Sequence, residues 1–147
     1  MTLKGIDPLL SGELLRELDE LGHGDLVVVA DRNFPAYTQS APVVRIDADI
    51  VTAMRAILSV FPLDTFVEQP LERIVPQDGA PAMARSDFDA TVPGRVLTAA
   101  IEAEGRELAF LDIPRAAFYE RAKDAHLVVL TRETAPFCDF VLTKGVV

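Results

Sequence analysis

Cysteine is almost absent: the 147-residue chain has one, Cys138. A lone thiol makes no internal disulfide, and a reducing compartment is compatible with it. Histidine is nearly as scarce. With only His23 and His126, a zinc finger or a His-rich metal site is ruled out, and an all-carboxylate metal site has no recognisable spacing. No window offers ~18 uncharged apolar residues, so no transmembrane helix and no membrane partner are expected. The N-terminus has no apolar h-region, and charges recur at Asp7, Glu13 and Arg16, so it does not read as a signal peptide. Basic residues are outnumbered, 14 Lys and Arg against 23 Asp and Glu, for a formal net charge of −9. Such a surface repels phosphate backbones, so nucleic acid is not an expected partner. The phosphate-binding G-x-x-x-x-G-K-[ST], the dinucleotide G-x-G-x-x-G and the nucleophile elbow G-x-S-x-G are all missing. These absences leave a soluble, acidic, cytoplasmic protein.

What is present is a globular balance, with 50% hydrophobic and 25% charged residues. The length fits one domain over 1–147, with no Pro/Ser linker and no internal repeat. Ser11 reads as an N-cap for a helix that aligns Leu14, Leu15, Leu18 and Leu21, with Gly22 as its stop. The unbroken run at 26–30 reads as a buried strand. A loop follows to Pro42, then a short strand at 43–46 and a helix over 49–61 ended by Pro62. Residues 65–75 have strand composition, but Pro70 points to an edge or broken strand. Residues 77–86 read as loop, 93–104 as a helix with Gly105 past its end, and 108–111 as a strand. Pro114 suits the N1 position of a helix over 115–125. Strands are expected at 127–130 and 140–142, joined by a hairpin loop. The alternation predicts an α/β layered fold, a mixed, largely parallel sheet flanked by helices.

Four segments carry candidate chemistry. His23 lies between two glycines in Leu21-Gly22-His23-Gly24-Asp25. Small neighbours leave its imidazole accessible, and its ordinary pKa suits acid/base work; the plainer reading is a polar turn residue. Asp31 directly follows the buried strand, where α/β folds collect ligands. It could bind sugar hydroxyls or orient His23 across the turn, or simply close an Asx-turn. Arg115 opens a helix, where the dipole disfavours a cation, and Tyr119 shares its face. That placement points to a ligand or a partner carboxylate; the plainer reading is a surface arginine beside a partly buried tyrosine. The segment 131–139 reads, on its own, as a loop, and His126 as structural.

Together these segments resemble the RbsD/FucU family of ribose pyranases and L-fucose mutarotases, nearly end to end. The carriers are Ser11 through Asp25 ending in L-G-H-G-D, then Asp31-x-x-Phe34-Pro35-Ala36, Ala117-Phe118-Tyr119-Glu120-Arg121-Ala122, and Lys144-Gly145-Val146. The turn, D-x-x-F-P-A and F-Y-E-R-A are closer to the fucose branch. The resemblance implies an RbsD-like fold and a cofactor-independent isomerase with a monosaccharide substrate. Its fucose branch interconverts anomers; its ribose branch interconverts pyranose and furanose forms. It further implies His23 as catalytic residue, and Asp31, Arg115 and, in the matching helix, Tyr119 as substrate-binding. It also implies a homo-oligomer, a decameric ring with sites between subunits, to whose interface the 144–147 terminus and the last loop would belong. The chain departs from the pattern where the family has Tyr-x-Asn as substrate contacts. Here Phe137 keeps only the ring and Asp139 replaces an amide by a carboxyl, and Asn33 stands where fucose-type members have histidine. These changes keep open another preferred sugar, a ribose-type pyranase, or a sugar-binding protein without turnover.

Overall fold

The structure, a computed structural model, describes residues 2–147. Six strands form one sheet: β1 (Leu26–Ala30), β2 (Val43–Arg45), β3 (Leu71–Val75), β4 (Leu111–Pro114), β5 (Leu127–Leu130) and β6 (Phe140–Thr143), in the order β2-β5-β1-β6-β3-β4. β1 runs parallel to β5 and β5 to β2, while β6 is antiparallel to both β1 and β3, and β3 is parallel to β4. β6 is therefore the single reversed strand of a mixed, largely parallel α/β sheet. β1 occupies the middle because every residue of Leu-Val-Val-Val-Ala is apolar, so it can be buried on both faces.

Alternate residues feed two cores. Val27, Val29, Leu127, Val129, Phe140 and Leu142 face a larger core covered by α1 (Gly12–Glu20), α2 (Ile50–Leu58) and α4 (Val92–Glu104). Val28, Ala30, Val128, Val141 and Ile74 face a smaller one, closed by α5 (Arg115–Ala122) and Phe34. α5 is weakly amphipathic, burying only Phe118 and Ala122. Its docking is reinforced by Arg121, whose Nε and Nη2 donate to the buried Glu72 carboxylate of β3 at 3.0 Å each.

The local signals act largely as read. Ser11 Oγ accepts the Leu14 N–H at 3.1 Å, and Thr91 caps α4, which ends at Gly105 with φ +65°. Several expectations need correction. α1 stops at Glu20, with Leu21 already extended, because the Asp25 carboxylate takes the Gly22 N–H at 2.7 Å and closes the next turn. α2 ends at Leu58, earlier than Pro62 demands, and α5 at Ala122 rather than 125. A short helix, α3 (Arg85–Asp89), begins inside the expected loop. β3 is neither edge nor broken: Pro70 precedes its first residue and gives its carbonyl to the Thr143 N–H, and β6 and β4 flank the strand. The strand expected at 108–111 lies at β4 instead. Leu108 and Phe110 pack into the core, Phe110 stacking on Phe140 at 5.5 Å, and pairing to β3 starts only at Leu111. Pro114 accordingly ends β4 and sits at the N-cap of α5, one position before N1.

The largest correction concerns 131–139. β5 and β6 do not form a hairpin, because β1 lies between them. The loop instead arches over the C-terminal end of β1. No helix among the described residues is long and apolar enough to cross a membrane.

Candidate active site

The arching loop has a consequence for Asp31. The carboxyl end of β1 lies directly beneath it, so Asp139 Oδ1 accepts the Asp31 N–H at 2.8 Å. Asp31 Oδ1 in turn accepts the Asn33 N–H at 2.8 Å, an Asx-turn that fixes the side chain. Both carboxyls are buried, Asp31 at 5% and Asp139 at 4% exposure. α5 delivers two more groups. The Arg115 guanidinium lies over the Tyr119 ring at 4.9 Å, and Tyr119 stacks on Phe34 at 6.0 Å. Asp31, Asn33, Arg115, Tyr119, Phe137 and Asp139 line one cavity of about 150 Å³. That is well below the ~300 Å³ at which small-molecule pockets usually begin.

Phe137 adopts φ +55°, the one left-handed non-glycine residue described. An L side chain there costs about 1–2 kcal/mol. The turn buries Cys138 while leaving the Phe137 ring at the cavity rim, 38% exposed. The Cys138 thiol is no nucleophile: burial, with the charges of Glu133, Asp31 and Asp139, pushes it up to about 12. Two of these causes also act on Asp139. Burial first and the Asp31 charge second raise its carboxyl to about 7, although the Asp31 N–H pulls the other way.

His23 is not in this cavity. It lies in the turn before β1, while Asp31 follows the strand, so roughly 13 Å of strand separates the two ends. Asp31 therefore does not orient His23, contrary to one expectation. Asp64 does: its Oδ1 lies 3.0 Å from His23 Nε2. A carboxylate only accepts, so Nε2 carries the hydrogen and Nδ1 is the free nitrogen. The Phe66 N–H, then His23, hold the Asp64 carboxyl below the usual range. Phe66 also packs its ring on the imidazole at 5.1 Å and is itself exposed.

Two glycines permit this arrangement. Gly24 has φ +87°, which the turn needs, and its N–H donates to the Lys144 carbonyl at 2.8 Å. A Cβ on Gly145 would lie 2.6 Å from the Leu63 carbonyl oxygen, so glycine alone lets the C-terminal strand lie against the segment carrying Asp64. The expected 144–147 terminus thus packs beside the His23 turn, with Val146 and Val147 exposed. His126 accepts the Leu26 N–H at 3.2 Å through Nδ1 and belongs to the same end.

Sequence reading missed Asp64, which stands 41 positions from its partner. The only local signal was an acid inside an apolar stretch. Larger hollows of about 500 and 630 Å³ run along α1. Their cationic groups are already engaged, Lys144 with the Leu18 carbonyl and Arg16 with Glu17. Among the described residues no three His, Cys, Asp or Glu side chains converge as metal ligands would.

Comparison with known proteins adds an independent line. The model of the RbsD / FucU transport protein family matches residues 4–147. A protein named L-fucose mutarotase from Glaesserella parasuis serovar 5 (strain SH0165) is 40% identical over 145 residues, covering 98% of this chain and 95% of its own. The crystal structure of FucU from Bifidobacterium longum superposes with a TM-score of 0.85 at 38% identity, over 98% of this chain and 99% of that one. The fucose mutarotase of Streptococcus pneumoniae in complex with L-fucose gives 0.81 at 33%, over 99% of both chains. With matched motifs, the same sheet and full-length similarity, the chain belongs to the RbsD/FucU family.

Proposed function

We propose that this protein is a cofactor-independent monosaccharide mutarotase that interconverts the α and β anomers of L-fucose or a closely related sugar. One observation carries the reading. Asp31, Arg115 and Asp139 converge on a single cavity in a chain whose full-length relatives, at 33% to 40% identity, are named fucose mutarotases. Carboxylates and a guanidinium are the groups that hold a polyol ring by its hydroxyls.

His23 is the proton acceptor and donor. Its free Nδ1 takes the proton of the anomeric hydroxyl while the ring oxygen gains a proton from the opposite wall. The bond between C1 and the ring oxygen breaks, and the open-chain aldehyde forms. The aldehyde turns about its C1–C2 bond and recloses on its other face, with both proton transfers reversed. Asp64 holds the imidazole in one tautomer and stabilises its cationic form, as a carboxylate does behind a catalytic histidine. Asp64 is a positioning residue. Asp31 and Arg115 hold hydroxyls, and Tyr119, Phe137 and Asp139 shape the wall.

The two halves belong to different copies in this reading. A cavity of about 150 Å³ is half a pocket, and the exposed Phe66 and Val146 beside His23 offer apolar surface for a second chain. A ring, decameric as in the family, sets His23 of one copy against the Asp31 cavity of the next. The activity belongs to the cytoplasm.

The test is saturation-transfer NMR at the anomeric proton, with a panel including L-fucose and D-ribose. Transfer between α- and β-fucose signals, lost in His23→Ala, is the expected result. Exchange only among ribose pyranose and furanose signals would make the protein a pyranase. Phe137, which lacks a hydroxyl, favours a second reading, a sugar-binding protein without turnover; binding by calorimetry with no exchange for any sugar would establish it.

A further inference from the structure

The Asp31–Asp139 pair is the unusual feature of the cavity. Two carboxyls are buried side by side, yet the contact between them is a single backbone N–H, donated by Asp31 to Asp139 Oδ1. Asp139 Oδ2 has no hydrogen-bond partner among the described residues, and the residue lines the cavity. An ionised carboxyl in this buried wall is costly, and a like charge beside it adds to the cost.

No surrounding group relieves this. From β3 the wall is Ile74, which is apolar. From α5 come Arg115, exposed and stacked on Tyr119 rather than paired with either acid, and the Tyr119 phenol. From the loop itself come Cys138 and Glu133, and Glu133 already accepts the N–H groups of Thr134 and Ala135 at 3.0 and 2.9 Å. Each ionised neighbour except Arg115 is negative.

We propose that Asp139 is a proton-carrying residue of the sugar site: its carboxyl, buried in the cavity wall beside the Asp31 carboxylate, holds a proton, and Oδ2–H is the hydrogen-bond donor offered to a sugar oxygen. This rests on the sugar-binding reading of the cavity. One wall then presents acceptors from Asp31 and the other a donor from Asp139, so a sugar hydroxyl can donate to one and accept from the other. The titration near pH 7 gives the site an alkaline switch. Once Asp139 ionises, the donor is lost and two adjacent anions face the ring oxygens.

Two measurements on the assembled protein test this. The first is an infrared titration of the carboxylic C=O stretch in ligand-free protein, against Asp139→Asn. The expected result is one protonated carboxyl that disappears across about pH 7, absent from Asp139→Asn and shifted to lower pH in Asp31→Asn. The second is L-fucose affinity by calorimetry. The wild-type Kd should rise about tenfold per pH unit above the transition, and the Asp139→Asn profile should be flat there, since an amide donates at every pH. No titrating carboxyl in that range, or an unchanged pH profile in a folded Asp139→Asn, overturns the proposal. pH-dependent binding without anomer exchange overturns the mutarotase reading and leaves Asp139 as proton carrier. No binding of any sugar at any pH overturns the donor role.

Discussion

The two ends of β1 each carry a buried aspartate, and the two behave in opposite ways. At the N-terminal end Asp64 accepts the Phe66 N–H at 3.0 Å and His23 at 3.0 Å, and its carboxyl is held low. At the C-terminal end Asp139 receives one N–H and faces another carboxyl, and is raised to about 7. Both residues expose little surface, 2% and 4%. What differs first is how strongly burial strips water from each carboxyl, and then the supply of donors and the sign of the neighbour's charge. Burial raises a carboxyl, and its partners decide whether that rise is offset, as at Asp64, or reinforced, as at Asp139. The result is one end suited to hold a histidine as a base and another suited to keep a proton.

Substitutions can break this contrast. The largest effect is expected from His23→Ala, which leaves Asp64 without its base and should lower anomer exchange by roughly 10²–10⁴-fold, read by saturation transfer. Next is the stability of Asp139→Asn. The folded protein keeps the Asp139 proton to about pH 7 against an ordinary 3.8. Between those values the native state binds more protons than the unfolded chain, so stability falls as pH rises through that window and is level above it. Denaturant melts at pH 8 should show Asp139→Asn more stable than wild type by roughly 1–4 kcal/mol, and the gap should close towards pH 4. A variant less stable at pH 8 would mean Asp139 is ionised and well partnered.

Asp64→Asn makes the N-terminal end resemble its counterpart by removing the negative partner. About tenfold lower kcat with little change in KM is expected, together with a changed His23 tautomer read by nitrogen NMR shifts. A mere packing role for Asp64 would leave that tautomer in place. The smallest effect sharpens the C-terminal end alone. Phe137→Tyr adds a hydroxyl at the cavity rim, and one neutral hydrogen bond of about 1 kcal/mol should tighten sugar binding about fivefold.

Much of the fold could be read from short patterns, and the failures have definite causes. β1 and β5 are legible because strands buried on both faces are unbroken apolar runs. β4, Leu-Asp-Ile-Pro, is an exposed edge strand whose two polar or boundary residues hide it, and the neighbouring Leu108 and Phe110, being core residues, draw attention instead. The hairpin expectation for 131–139 failed because adjacency in sequence says nothing about a third strand lying between β5 and β6. That same insertion puts Asp139 on Asp31, so the acid pair could not be read from spacing. The cavity group of Asp31, Arg115, Tyr119, Phe137 and Asp139 was named from motifs, and the fold brings all five together. His23 stands apart, since its turn precedes the strand whose far end carries Asp31, and Asp64 was invisible because its pairing is long-range and depends on the bare Gly145.

The separation of His23 from the cavity makes the site's completion by a second copy the central claim. It is tested most directly by subunit complementation. His23→Ala and Asp31→Asn chains are each made alone and then co-expressed. Each variant alone should be inactive in anomer exchange. The mixed assemblies should recover roughly a quarter of wild-type activity, because one interface in four joins an intact His23 to an intact cavity in randomly mixed rings. Mixed assemblies, verified by mass, that stay as inactive as either parent would show that both residues must come from one chain, and the two-copy site would be wrong.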